Sequence, residues 1–193
     1  MALILASGSP RRREMLESLQ LDFQVRIADG DGPIVSQNPA DRVLGHALFK
    51  ARALASECPA DWVLAADTLV YGQDKFFPKP KNRAHAKFML EQLVAMGEHE
   101  VWTGSCLIGP DGQEFSRAEM SRVAFEVIPP QALTRYLEGR EWTDKAGAYA
   151  IQGWAGAYTQ LLEGDFNTVV GLSQSAVLEL FAQAGLSPEA FRR

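Results

Sequence analysis

The run Leu3-Ile4-Leu5-Ala6 passes straight into Ser7-Gly8-Ser9-Pro10-Arg11-Arg12, and this junction constrains the fold more than any other part of the chain. A short, wholly apolar run reads as a central, buried strand. Pro10 then stands at the first position of a helix, where its fixed φ fits and its missing N–H costs nothing. A helix N-terminus presents unpaired N–H donors and a partial positive charge, so it seats anions. Two guanidinium groups there oppose the helix dipole and require an offsetting partner. A polyphosphate is one, because arginine's planar fork makes paired bonds to phosphate oxygens. The alternative is a solvated helix start in which Glu14 answers one of the arginines.

The rest of the chain interleaves strands and helices. Apolar residues at helical spacing (Met15, Leu16, Leu19) predict a first helix over 11–19. Alternation predicts a strand over 23–27, followed by a loop carrying Asp29 and Asp31. Val43, Leu44, Ala47, Leu48, Ala51 and Leu54 share one stripe of a helix over 41–56, with Asn38-Pro39 at its start. A second apolar run, Trp62 to Ala66, ends at Asp67-Thr68, and 69–77 reads as a hairpin turning near Gly72-Gln73-Asp74. Pro78-Lys79-Pro80-Lys81 excludes helix. Helices follow over 84–96 and 130–137, a hairpin over 101–108 and 115–127, an irregular stretch over 144–152, a strand over 158–163 and a closing helix over 173–184. Gly164 to Asn167 reads as a turn. The interleaving predicts an α/β fold with a mixed, twisted sheet.

At 193 residues the chain suits one domain spanning 1–193. A formal net charge of −5 argues against a nucleic-acid scaffold, since attraction to a long polyanion wants the opposite sign. A local cluster of Lys and Arg still suits a small anion. Cys58 and Cys106 have no metal spacing and read as thiols in a reducing compartment. The start lacks the layout of a signal peptide, and no apolar run reaches the length of a membrane span. The expectation is a cytoplasmic protein without a membrane partner.

Four polar clusters follow strands or sit in Gly/Pro-rich loops, where a rigid scaffold presents functional groups. Asp67, at the end of an apolar run, can hold a hard cation or take a proton from water; it can also cap a turn. Lys79, fixed between two prolines, either delivers an ammonium to a restricted region or is a solvated loop lysine. Lys50 stands near the edge of its helix's apolar stripe and either reaches a ligand or snorkels. Gln152 closes a stretch of small residues, Asp144 to Gly153, and its amide has both the donor and the acceptor needed to read a base edge. His46, His85 and His99 have no ligand spacing, so no zinc site is expected. The chain has no Walker loop, dinucleotide fingerprint or nucleophile elbow.

Taken in order, these pieces resemble the Maf family of nucleoside triphosphate pyrophosphatases. The matching segments are Leu3 to Arg12, Ala66-Asp67-Thr68, Lys79-Pro80, Thr103-Gly104, Asp144 to Gly153, Gly164-Asp165 and Val169 to Leu172. The resemblance implies an elongated, two-lobed architecture shared with the inosine triphosphate pyrophosphatases, with a central cleft. It implies cleavage of a nucleoside triphosphate to monophosphate and pyrophosphate. Asp67-Thr68 with the Asp144 to Tyr149 run and Gln152 resemble the branch acting on dTTP and UTP. Carried over, Asp67 matches the proton acceptor. Arg11, Thr68 and Gln152 match positions that tune the choice of base, and Ser9, Arg12, Lys50 and Lys79 match groups around the phosphates. A homodimer is implied as well.

Three positions depart from the family. Asp31 falls where a glutamate is usual, Pro78 replaces a glycine and Ser173 a proline. The mechanism suggested is a metal-assisted hydrolysis with Mg²⁺ or Mn²⁺ held by Asp67 and Asp31. Two rival readings are a non-catalytic nucleotide-binding regulator of cell division and a pyrophosphatase for inosine-type purine triphosphates.

Overall fold

The N-terminal apolar run forms strand β1 (Leu3–Ala6), and Pro10 opens helix α1 (Pro10–Ser18). The structure, a computed structural model, describes residues 1–30, 32–34 and 36–192. Strand β2 (Gln24–Arg26) precedes helix α2 (Pro39–Glu57), whose N-cap Asn38 accepts from the Ala40 and Asp41 N–H groups. The chain continues through β3 (Trp62–Gly72), β4 (Lys75–Phe77), α3 (Arg83–Met96) and β5 (Glu98–Ile108). It ends with β6 (Glu114–Phe125), α4 (Pro130–Glu138), β7 (Thr159–Glu163), α5 (Phe166–Val170) and α6 (Gln174–Gln183). Among the described residues one mixed sheet has the order β2-β1-β3-β5-β6-β7, with β4 antiparallel to the end of β3. β1 runs parallel to both β2 and β3, and β7 antiparallel to β6. This is the mixed α/β sheet that the interleaved pattern predicts.

Three local expectations change. β3 does not stop at Ala66 but runs eleven residues, so Asp67 lies mid-strand and not at a strand mouth. The ladder is made by the backbone, and a charged side chain interrupts the apolar pattern without interrupting the strand. The alternation over 23–27 becomes a three-residue edge strand with every residue exposed. Its apolar neighbours Leu21 and Phe23 pack on the core instead. The turn expected after Gly164 closes into helix α5.

The chain divides into two compact units. The first comprises Met1–Asp67, Thr103–Glu119 and the stretch from Gly171 on. In it, alternate residues of β1 and β3 enter two separate cores. Leu3, Leu5, Leu64 and Ala66 pack with Leu16, Val177, Leu180 and Phe181, which come from α1 and α6. Ile4, Ala6, Val63 and Ala65 pack with Ala47, Ala51 and Leu54 of α2. By the two-residue period of a strand, Asp67 falls on the side of Val63 and Ala65, the side α2 covers. Gly104 of β5 permits that cover. A Cβ there would stand 2.6 Å from the Val43 carbonyl carbon and oxygen and 2.8 Å from Leu44 N.

The second unit comprises Thr68–Trp102 and Met120–Val170. Its core joins Ala86, Met89, Leu90 and Leu93 of α3 to Leu133, Tyr136 and Leu137 of α4 and to Val123 and Phe125 of β6. Aromatic residues extend it. Tyr136 and Trp154 stack at 4.3 Å between ring centroids, and Tyr149 meets both Phe125 and His99 edge-on.

Candidate active site

Asp67 is the centre of the site in the first unit. Helix α2 supplies two donors four positions apart, which places them on one face. Lys50 Nζ donates to Asp67 Oδ1 at 2.6 Å, and His46 Nδ1 lies 3.0 Å from Oδ2. The three side chains are only 12% (His46), 13% (Lys50) and 14% (Asp67) exposed. Lys50 therefore does not snorkel to solvent; its ammonium turns inward to the carboxylate. Nor does Asp67 cap a turn, since it lies within β3.

Burial pushes the Asp67 carboxyl up. The hydrogen bond from His46, the charge and hydrogen bond of Lys50 and the Arg12 guanidinium together outweigh it, and the group lies below its ordinary value of 3.8. An ionised carboxylate at neutral pH is the result.

Arg12 is held by the junction that opens the chain. Its Nε donates to the Gly171 carbonyl at 2.9 Å and its Nη1 to Ser7 Oγ at 3.2 Å. Ser7 Oγ also accepts from the Ser9 N–H at 3.2 Å. One buried hydroxyl thus organises the turn and the guanidinium together. Pro10 stands at the start of α1 as expected, and the Ser9 side chain does not cap it. Arg11 is half-buried in the same first turn.

A hard oxygen donor that stays ionised suits Mg²⁺ or Mn²⁺, which bind through one or two carboxylates completed by phosphate oxygens and water. Among the described residues no group of three His, Cys, Asp or Glu side chains could hold a metal alone. The chemistry of the Asp67 carboxylate is that of a single hard oxygen ligand for such a cation. Asp31, the other expected carboxylate, lies outside the described residues.

A family model described as Maf-like protein matches residues 2–184. The chain belongs to the Maf family. It is 38% identical over 186 residues to a dTTP/UTP pyrophosphatase of Pyrococcus abyssi, covering 96% of this chain and 97% of that one. It is 37% identical over 182 residues to a dTTP/UTP pyrophosphatase of Bacillus anthracis, at 94% of each chain. A solved nucleoside-triphosphatase, or dITP/XTP pyrophosphatase, of Mycobacterium abscessus is 16% identical, with 98% and 100% coverage and a TM-score of 0.49.

Thr68, Lys79 and Gln152, also matched to the Maf pattern, lie in the second unit. Thr68 follows Asp67 on β3 and is half-buried. Lys79 is exposed, and the carbonyl of Pro78 beside it accepts from the Gly147 N–H at 3.3 Å. The lysine segment is thus tied to the small-residue stretch. That stretch bends through left-handed residues, Asp144 at φ 58°, Gly147 at 70° and Ala148 at 62°. Such a conformation is strained for alanine. The Tyr136 hydroxyl donates to the Ala148 carbonyl at 2.9 Å, and the Tyr149 hydroxyl lies 2.6 Å from His99 Nε2. Gln152 is exposed, and Glu141 Oε1 accepts from the nearby Trp154 N–H at 3.0 Å.

His46 is the site residue that sequence reasoning missed. Its lack of metal-ligand spacing set it aside, whereas its partner is a strand carboxylate. The usable signal was its position one turn before Lys50 on α2.

Proposed function

We propose that this Maf-family chain hydrolyses dTTP and UTP to the monophosphate and pyrophosphate, as a cytoplasmic homodimer. The observation that carries the reading is the largely shielded, ionised Asp67 with the Lys50 ammonium 2.6 Å from one oxygen. The relatives' name supplies the substrates.

Release of pyrophosphate requires water to add to the α-phosphorus while its bond to the bridging oxygen breaks. Asp67 takes the proton from that water, and its ionised state leaves it able to accept one. Lys50 has three donors on its ammonium, so it can hold Asp67 and a phosphate oxygen at once. Arg12, with its guanidinium plane fixed by Gly171 and Ser7, meets phosphate oxygens and the charge gathering on the leaving pyrophosphate. The match to the Maf pattern assigns Ser9 and Lys79 to the phosphates and Arg11, Thr68 and Gln152 to the choice of base. Asp67, with Asp31, would hold Mg²⁺ or Mn²⁺ beside the phosphates. When bound, the cation neutralises phosphate charge.

A panel of nucleotides with Mg²⁺ tests this. Pyrophosphate is expected from dTTP and UTP faster than from ATP, GTP or ITP. No pyrophosphate from any of them favours the regulator reading, and a preference for ITP favours the purine one.

A further inference from the structure

We propose that His46 is a positioning residue for the hydrolysis, fixing the rotation of the Asp67 carboxylate through its Nδ1–H. The inference rests on the reading above that Asp67 acts on the attacking water, and adds a residue that this reading does not need. An ionised carboxylate only accepts hydrogen bonds, so the proton in the 3.0 Å contact to Oδ2 belongs to Nδ1. The other ring nitrogen, Nε2, is buried and has no hydrogen-bond partner among the described residues. His46 thus presents an Nδ1–H to the carboxylate.

The geometry explains why two donors are needed. Rotation about the aspartate Cβ–Cγ bond is soft and roughly twofold. Lys50 alone, a compact charge on a flexible stem, attracts the carboxylate without setting its plane. A rigid ring on the second oxygen, carried by the same helix one turn earlier, sets it. Lys50 and His46 then hold one oxygen each, and the carboxylate edge keeps one direction toward the water.

The test compares wild type with His46→Leu, His46→Asn and His46→Gln in steady-state pyrophosphate release from dTTP and UTP. Leucine fills the space without a donor, asparagine puts an amide N–H where Nδ1 was, and glutamine moves it outward. The leucine variant should lose about 10–100-fold in kcat, the scale of a misplaced catalytic group, with KM within about twofold of wild type. Asparagine should recover most of that loss and glutamine little. An unchanged kcat in the leucine variant, a loss confined to KM, or equal loss in asparagine and glutamine variants overturns the proposal. If the leucine variant melts out, the asparagine–glutamine pair decides alone. Imidazole ¹⁵N shifts of the wild type separate this failure from failure of the function. A protonated Nδ1 in a protein that releases no pyrophosphate overturns the activity and leaves the contact standing. An Nδ1 that carries no proton in an active protein overturns the positioning role.

Discussion

Lys50 Nζ and Asp67 Oδ1 are 2.6 Å apart, with the two side chains 13% and 14% exposed. A pair this shielded is bound more by mutual need than by net gain, because removing one partner strands the other's charge. Asp67→Asn keeps the shape and removes the charge and the basic oxygen. Turnover should fall by roughly 10²–10⁴, the range for loss of a general base, while nucleotide binding persists. Turnover at the wild-type rate would remove Asp67 from that role.

The same pair should set the acid limit of activity. Asp67 lies below its ordinary 3.8, so its ionised form outlasts that of an ordinary aspartate on acidification. The sign for stability is the same: the contribution is full above 3.8 and is lost as pH falls through the lower folded value. Lys50→Met removes an attraction and leaves burial, which raises the pKa. The acid limb of kcat/KM should then move to higher pH. An unmoved limb in an active variant would mean that another group titrates there.

The β1–α1 start was legible because its signals are local: a run with no polar residue, a proline and a pair of arginines. Helix α2 was legible from its stripe. The extent of β3 was not, because Asp67 breaks the apolar pattern while the backbone ladder continues to Gly72. Helix α5 has five residues, too few for any periodicity to register. Lys50 was visible only as a choice between snorkelling and reaching a ligand. What decides it is a carboxylate seventeen residues away on another element. His46 was hidden for the same reason, since pairing across elements leaves no spacing to read.

His99 of the second unit should make stability fall with acid. It is 3% exposed, and burial depresses it from 6.5 to about 4. The unfolded chain therefore binds this proton first. The stabilising contribution is full above 6.5 and lost as pH falls toward about 4. His99→Gln should flatten the fall in unfolding free energy across that window, by up to about 3 kcal/mol at its acid end, read by urea unfolding at each pH. An identical slope in the variant would show that other groups govern it.

Gln152 follows the buried Ile151, and the Trp154 N–H two residues on is fixed to Glu141. Its amide is thus carried on a held backbone. Gln152→Glu replaces a donor and acceptor by an acceptor alone. The ratio of UTP to GTP cleavage should change by about tenfold, the scale of one hydrogen bond turned into a mismatch. A ratio equal to wild type would take base selection away from this residue.

Gly104 ties the fold to the chemistry. It lies on β5 where α2 crosses, and a Cβ would meet the Val43 carbonyl group at 2.6 Å. The obstacle is helix backbone, which cannot rotate aside as a side-chain tip could. Gly104→Ala must therefore lift or tilt α2, the element that carries both His46 and Lys50. Overpacking of this kind costs about 1–3 kcal/mol, measurable by thermal or urea unfolding. The displacement should also loosen the two contacts to Asp67, so kcat should fall in protein that remains folded. Full stability and full turnover together in the alanine variant would show that the helix can yield without disturbing the carboxylate.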